Sequence, residues 1–201
     1  MKKVKVAPPR PTPVTGLAGV RAEQRALSTR LSELELECRS LGERCLTLEA
    51  RAARFWKLYV ASHRLHEPTD RQGVIAVIQE IVSAIIGSES MALVEPGQSG
   101  ELEVSAAFGV EPARVLSLAK TDRSLRAALQ RGESFIAQTP GRSGNPTACI
   151  PLKVGGGVAG ALVVFDLLAH KPGYLEEDHV LFELLSLQAG VALRCAKGLP
   201  A

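Results

Sequence analysis

Three groups of residues carry side chains or spacings that could act on a ligand. Gly155, Gly157 and Gly160 satisfy G-x-G-x-x-G. That spacing cradles a pyrophosphate when a strand precedes it and a helix follows, because helix N-terminal amides then face the anion. Val163-Val164-Phe165 follows here, and such β-branched and aromatic residues read as the return strand of a hairpin. His63 and His66 stand three apart on one helix, which permits a shared metal ion. No third ligand of known proximity accompanies them, so solvent-facing histidines are the plainer reading. Glu176, Glu177 and Asp178 fall in the first turn of a helix, where they complement its dipole without any catalytic role. No Ser/His/Asp or Cys/His set stands at recognisable spacing, which points away from an enzyme.

The element with the strongest signal lies upstream of these groups. Leu27, Leu31, Leu34, Cys38, Leu41, Cys45, Leu48, Ala52, Phe55, Tyr59 and Ser62 recur in unbroken steps of four and three. The mean step is 3.5 rather than 3.6 residues, the period of a supercoiled seam. Leu27, Leu34, Leu41 and Leu48 take position d; Leu31, Cys38, Cys45, Ala52 and Tyr59 take position a. So narrow a stripe cannot be covered by its own chain and needs a partner helix. An intramolecular hairpin is the alternative, but no second long heptad segment completes it. In a parallel, in-register pair Arg30 faces Glu35 of the other chain and Arg44 faces Glu49, both attractive. Each exposed pair contributes only about 0.5 kcal/mol, so burial of the leucines supplies the stability. The expected dimer interface is Leu27, Leu31, Leu34, Cys38, Leu41, Cys45, Leu48, Ala52 and Phe55. Gly42 weakens the helix by about 1 kcal/mol relative to alanine.

Composition narrows the class. The chain has 201 residues, 46% of them hydrophobic and 22% charged, enough to bury a sizeable core. No uninterrupted apolar run reaches the roughly 18 residues that a membrane helix needs. Met1-Lys2-Lys3-Val4-Lys5 has a positive start but no apolar stretch behind it, so export is not expected. Cys38, Cys45, Cys149 and Cys195 show no paired short spacing, which fits reduced thiols in a cytoplasm. Residues 1–68 hold 13 Lys and Arg against 7 Asp and Glu, so the positive charge is front-loaded. Pro8, Pro9, Pro11 and Pro13 make residues 1–16 a basic, proline-rich tail expected to be disordered. No aromatic residue interleaves with these charges, which argues against base stacking and DNA.

Downstream, Pro68 ends the seam helix and Thr69 or Asp70 can cap another. Val74 to Ile86 follows helical spacing and Gly87 closes it. Met91–Glu95 and Leu102–Ala107 read as a hairpin, residues 111–131 as short helices and Ser134–Ala137 as a small strand. Cys149–Val154 and Val158–Leu167 read as a second hairpin, and Leu175–Cys195 as a closing helix. This order describes an α+β domain, an antiparallel sheet flanked by helices, preceded by a long coiled-coil helix. The expected division is tail 1–16, dimerisation helix 17–66 and globular domain 67–198.

Residues 58–196 resemble a GAF domain, the small-molecule sensor module of signalling proteins. The resemblance rests on Leu65, Asp70, the Val74–Ile86 helix and Gly87 leading into Met91-Ala92-Leu93-Val94. It rests most on Cys149-Ile150-Pro151-Leu152 through Gly160-Ala161-Leu162-Val163-Val164, similar to that family's v-P-l-x-v hairpin and its close-packed glycine. The Asn-Lys-Phe-Asp-Glu signature of cyclic-nucleotide-binding members is absent, and Cys149 lies within a strand rather than in a bilin-attachment context. Ser62-His63-Arg64-Leu65-His66-Glu67-Pro68 also resembles the phospho-accepting box of histidine kinases, with Arg64 where an acid belongs.

The resemblance implies a non-catalytic regulatory protein. In that reading a dimeric GAF sensor relays ligand or partner binding through its coiled coil to a separate effector protein. The alternative is an interaction scaffold whose GAF fold binds no small molecule. A retained sensor should show a closed apolar pocket beneath the helices of residues 111–131. A scaffold should show that space filled and an apolar patch exposed elsewhere.

Overall fold

A computed structural model describes residues 16–97, 100–138 and 144–196. The basic tail up to residue 15 and most of the 139–145 loop lie outside the described residues. The chain forms two compact units, one through Ala52 and one from Ala53.

Helix α1 spans Leu17–His66, and its residues up to Ala52 make up the described part of the first unit. Every residue from Val20 to Ala52 is exposed. At about 1.5 Å per residue the stretch from Leu17 to Ala52 is about 54 Å long. Its stability within one chain rests on local bonds such as Arg30 Nη1 to Glu33 Oε2 at 3.1 Å.

The second unit packs helices on both faces of a five-stranded antiparallel sheet. The strands are β1 (Met91–Pro96), β2 (Leu102–Phe108), β3 (Phe135–Ile136), β4 (Ala148–Val154) and β5 (Gly157–Val164), in the spatial order β2-β1-β5-β4-β3. Period-two alternation divides the strand residues between two cores. Met91, Leu93, Ile150, Leu152, Leu162 and Val164 face one way. Ala92, Val94, Cys149, Ala161 and Val163 face the other. The first face is covered by α2 (Arg71–Glu80), the segment after it and α5 (Glu176–Ala196), with Leu58, Ala61 and Leu65 from the last turns of α1. The second face is covered by α3 (Pro112–Thr121) and α4 (Arg123–Arg131). The α+β expectation therefore holds.

Local chemistry sets the connections. Asp70 caps α2 by accepting from the Gly73 amide at 2.6 Å, and Asp122 caps α4 through the Leu125 amide at 2.8 Å. Gly155 and Gly156 both have positive φ, 57° and 85°, as the two central residues of a type I′ hairpin turn require. Pro151, which has no N–H, sits in β4 beyond the two residues paired with short β3, so no ladder bond is lost there.

One element departs from expectation. The helix expected to run to Ile86 is α-helical only to Glu80, and Ile81–Ile86 is a π-helical segment. Five residues of α-helix would set Ile86 about 140° around from Ile81. Bonding from i to i+5 brings them nearer one side, and Ile81, Val82 and Ile86 are all buried.

Candidate functional site

The space between α3/α4 and the sheet is filled. Val115, Ala119, Leu125 and Ala128 meet Ala92, Val94, Cys149, Ala161, Val163 and Phe165, each no more than 2% exposed. Among the described residues, therefore, no closed apolar pocket of the kind a retained sensor needs opens between these side chains. An open hollow of about 400 Å³ remains at the edge, bordered by Ser90, Gly109, Glu111, Arg114 and Asp166. Cys149 lies in the filled core, where burial and the Asp122 charge push its thiol above the ordinary range. A protonated thiol is a poor nucleophile.

The groups singled out by their chemistry separate in space. Gly155 and Gly156 form the β4–β5 turn, and the strand β5 follows, so no helix terminus faces a phosphate. His63 is exposed, with Nδ1 3.2 Å from Glu67 Oε1 and its ring 6.0 Å from that of Tyr59. Among the described residues no three His, Cys, Asp or Glu side chains are grouped to hold a metal ion. Of the three acids opening α5, Glu177 lies 3.3 Å from Lys57 and Glu176 3.7 Å from Arg54. Asp178 reaches back to the Leu175 amide at 2.7 Å, the second half of a capping box.

The nine residues expected at a dimer interface all lie on α1 and all are exposed. Leu27, Leu31, Leu41 and Leu48 are each 60% or more exposed, and Phe55 is 72% exposed. Further along the same helix, Ser62 Oγ meets Gln188 Oε1 of α5 at 2.8 Å. Beside Gln188, α5 exposes Leu187 and Val191, four apart and therefore on one side of the helix.

Sequence reasoning missed a charged cluster at the other end of α5. Arg71, the first residue of α2, donates through Nη2 to Glu95 Oε2, and Ser105 Oγ donates to the same oxygen. Glu95 is 8% exposed although it belongs to a strand of apolar residues. Arg194, from the last turn of α5, borders the same cleft. Two local signals pointed here. An acid interrupts the apolar run of β1, and a cation opens α2 where the helix dipole disfavours one.

No family model matches the chain, and no curated protein matches it significantly. Solved structures do. The GAF domain of Acinetobacter phosphoenolpyruvate-protein phosphotransferase is 14% identical, with a TM-score of 0.56 over 74% of this chain and 97% of that one. The GAF domain of a Coxiella burnetii phosphoenolpyruvate-protein phosphotransferase is 13% identical, with a TM-score of 0.55 over 72% and 94%. Residues 122 to 287 of a methyl-accepting chemotaxis protein are 19% identical, with a TM-score of 0.51 over 67% and 96%. The fold is that of a GAF domain.

Proposed function

Taking the GAF fold as premise, we propose that this chain is a non-catalytic, cytoplasmic regulatory protein of signal transduction. It acts as a parallel homodimer joined through α1 and relays binding at its GAF domain to a separate effector protein. The observation that carries this reading is the seam of α1, where nine apolar or small residues at 3.5-residue spacing lie uncovered along one helix. A lone helix with that stripe in water leaves several leucines hydrated, at roughly 1.5–3 kcal/mol for each. A second copy supplies the matching stripe in register. Leu187 and Val191 extend the apolar surface beside the last seam positions, so the two GAF domains have an apolar face through which to respond to each other.

Relay requires two packings of that dimer that differ in affinity for the effector. The filled α3/α4 face favours a second reading, an interaction scaffold that takes no small molecule beneath those helices.

Sedimentation equilibrium tests the dimer. The wild type is expected at twice the chain mass, and Leu34→Glu with Leu41→Glu at the chain mass with unchanged near-ultraviolet circular dichroism. A wild-type monomer at micromolar concentration overturns the proposal.

A further inference from the structure

Cys38 and Cys45 are both exposed and both occupy position a of the α1 seam, one heptad apart. Two turns of helix put them on the same side, about 10.5 Å apart along the axis. A disulfide needs Cα atoms within about 4.4–6.8 Å, so neither can be bridged by the other on one helix. We propose that these cysteines form a redox modification site, where peroxide joins each one to the same residue of a second copy. The proposal rests on the parallel dimer described above and adds a covalent lock to it.

The geometry of a helix pair brings the sulfurs together. Packed helices have axes about 8–10 Å apart, and each Cα lies about 2.3 Å from its axis. Facing Cα atoms in an a layer therefore stand roughly 3.5–5.5 Å apart, and somewhat more when turned aside, which spans the disulfide range. In a parallel, in-register pair position a faces position a, so Cys38 meets Cys38 and Cys45 meets Cys45. In an antiparallel pair position a lies across from d, and Leu27, Leu34, Leu41 and Leu48 hold the d positions. Bridges between like residues at both layers belong to the parallel arrangement.

The same stretch is poorly built for stability alone. Cysteine is a small hydrophobe and fills less of an a layer than valine or isoleucine. Gly42 lies between the two cysteines and costs about 1 kcal/mol against alanine. Local opening there admits a molecule as small as hydrogen peroxide. One thiolate attacks the peroxide and breaks its O–O bond; the sulfur becomes a sulfenic acid, and the leaving oxygen departs as water with the thiol proton. The facing thiolate then attacks that sulfur and forms the S–S bond, expelling the sulfenic oxygen as a second water with its own proton. Each sulfur gives up one electron and the peroxide takes the pair. In a reducing compartment thiols reverse the bridge, as suits a signal more than a permanent staple. While it lasts, the dimer is independent of concentration and held to packings in which both layers are closed.

The test uses full-length chain carrying Cys195→Ser, which removes the other exposed thiol. It is treated with hydrogen peroxide and run on non-reducing electrophoresis. The expected product is a covalent dimer that forms at a rate unchanged by tenfold dilution and that reductant returns to single chains. Peptide mass spectrometry is expected to find Cys38–Cys38 and Cys45–Cys45 links. Adding Cys38→Ser or Cys45→Ser leaves one link, and adding both abolishes the covalent dimer. Leu34→Glu with Leu41→Glu is expected to slow cross-linking at least tenfold. A reduced chain that sediments as a dimer but links at neither cysteine overturns the proposal and leaves the dimer standing. Predominant Cys38–Cys45 links, or a rate that falls in proportion to dilution, overturn it as well. A reduced chain that sediments as a monomer removes the premise and the proposal together.

Discussion

Lys171 Nζ lies 2.7 Å from Asp178 Oδ2, and the same oxygen accepts the Leu175 amide at 2.7 Å. The two side chains are only 13% and 6% exposed. Lys171 also donates to the carbonyl of Ile86, the last residue of the π-helical segment. One ion pair thus fastens the loop after β5, the start of α5 and the end of the segment that follows α2. Asp178→Ala strands the ammonium without its counter-charge and is expected to cost about 3–5 kcal/mol. Asp178→Asn keeps an acceptor for the Leu175 amide and is expected to cost less. Urea midpoints of the three proteins check this, and equal midpoints mean that the pair adds nothing.

Gly160 lets β5 lie against the end of β1. A Cβ at that position would stand 2.6 Å from the Val94 carbonyl oxygen and 2.7 Å from Glu95 Cγ. Since one of these is backbone, relief requires the strands to part. Gly160→Ala is expected to destabilise by about 1–3 kcal/mol, measured by thermal unfolding. Gly157→Ala makes the control, because the closest atom there is 3.8 Å away and little should change.

Tyr174 is the group that sets an alkaline limit. Burial, opposed by its hydrogen bond to Thr147 and reinforced by the Asp178 charge, pushes its phenol up to about 12. The unfolded phenol ionises near pH 10. Its folded value is the higher one, so the stability it contributes is complete below about pH 10 and is lost as pH rises towards 12. The loss is on the order of 2 kcal/mol. Denaturant midpoints between pH 9 and 12 are expected to fall more steeply for the wild type than for Tyr174→Phe. Parallel curves reject the assignment.

Thiol labelling separates the four cysteines by environment. Cys38, Cys45 and Cys195 are exposed, whereas Cys149 is buried with its thiol held protonated. A thiol reagent at pH 8 is expected to modify Cys195 quickly and Cys149 only after unfolding. If α1 pairs as proposed, Cys38 and Cys45 react more slowly in the wild type than in the Leu34→Glu, Leu41→Glu variant. Mass spectrometry of labelled peptides reads all four. Early modification of Cys149 in the folded protein contradicts the filled core.

The local periods were legible without the structure. The heptad of α1, the two-residue alternation of the strands and the Gly155–Gly156 turn depend on residues close in sequence, and each can be recognised by counting. Asp70 announced a helix start for the same reason, because a cap bonds to an amide only three residues on; Asp122 caps α4 in the same way but was not singled out in the sequence. The π-helical segment was not legible. The isoleucines of Ile81–Ile86 suit an ordinary helix equally well, and the wider winding follows from which of them must reach the core.

Sequence by itself determined that the chain has an uncovered 3.5-residue seam and an α+β sheet with two dry faces. Only the tertiary structure decided that Ala61 and Leu65, late in the seam helix, belong to the core of the globular unit. Only it decided that the space beneath α3 and α4 is closed by Leu125 and Phe165. The meeting of Arg71, Glu95 and Arg194 was decided there too. Those residues lie on three elements far apart in the chain, and sheet order and helix packing bring them to one cleft; no local rule of spacing acts over such separations.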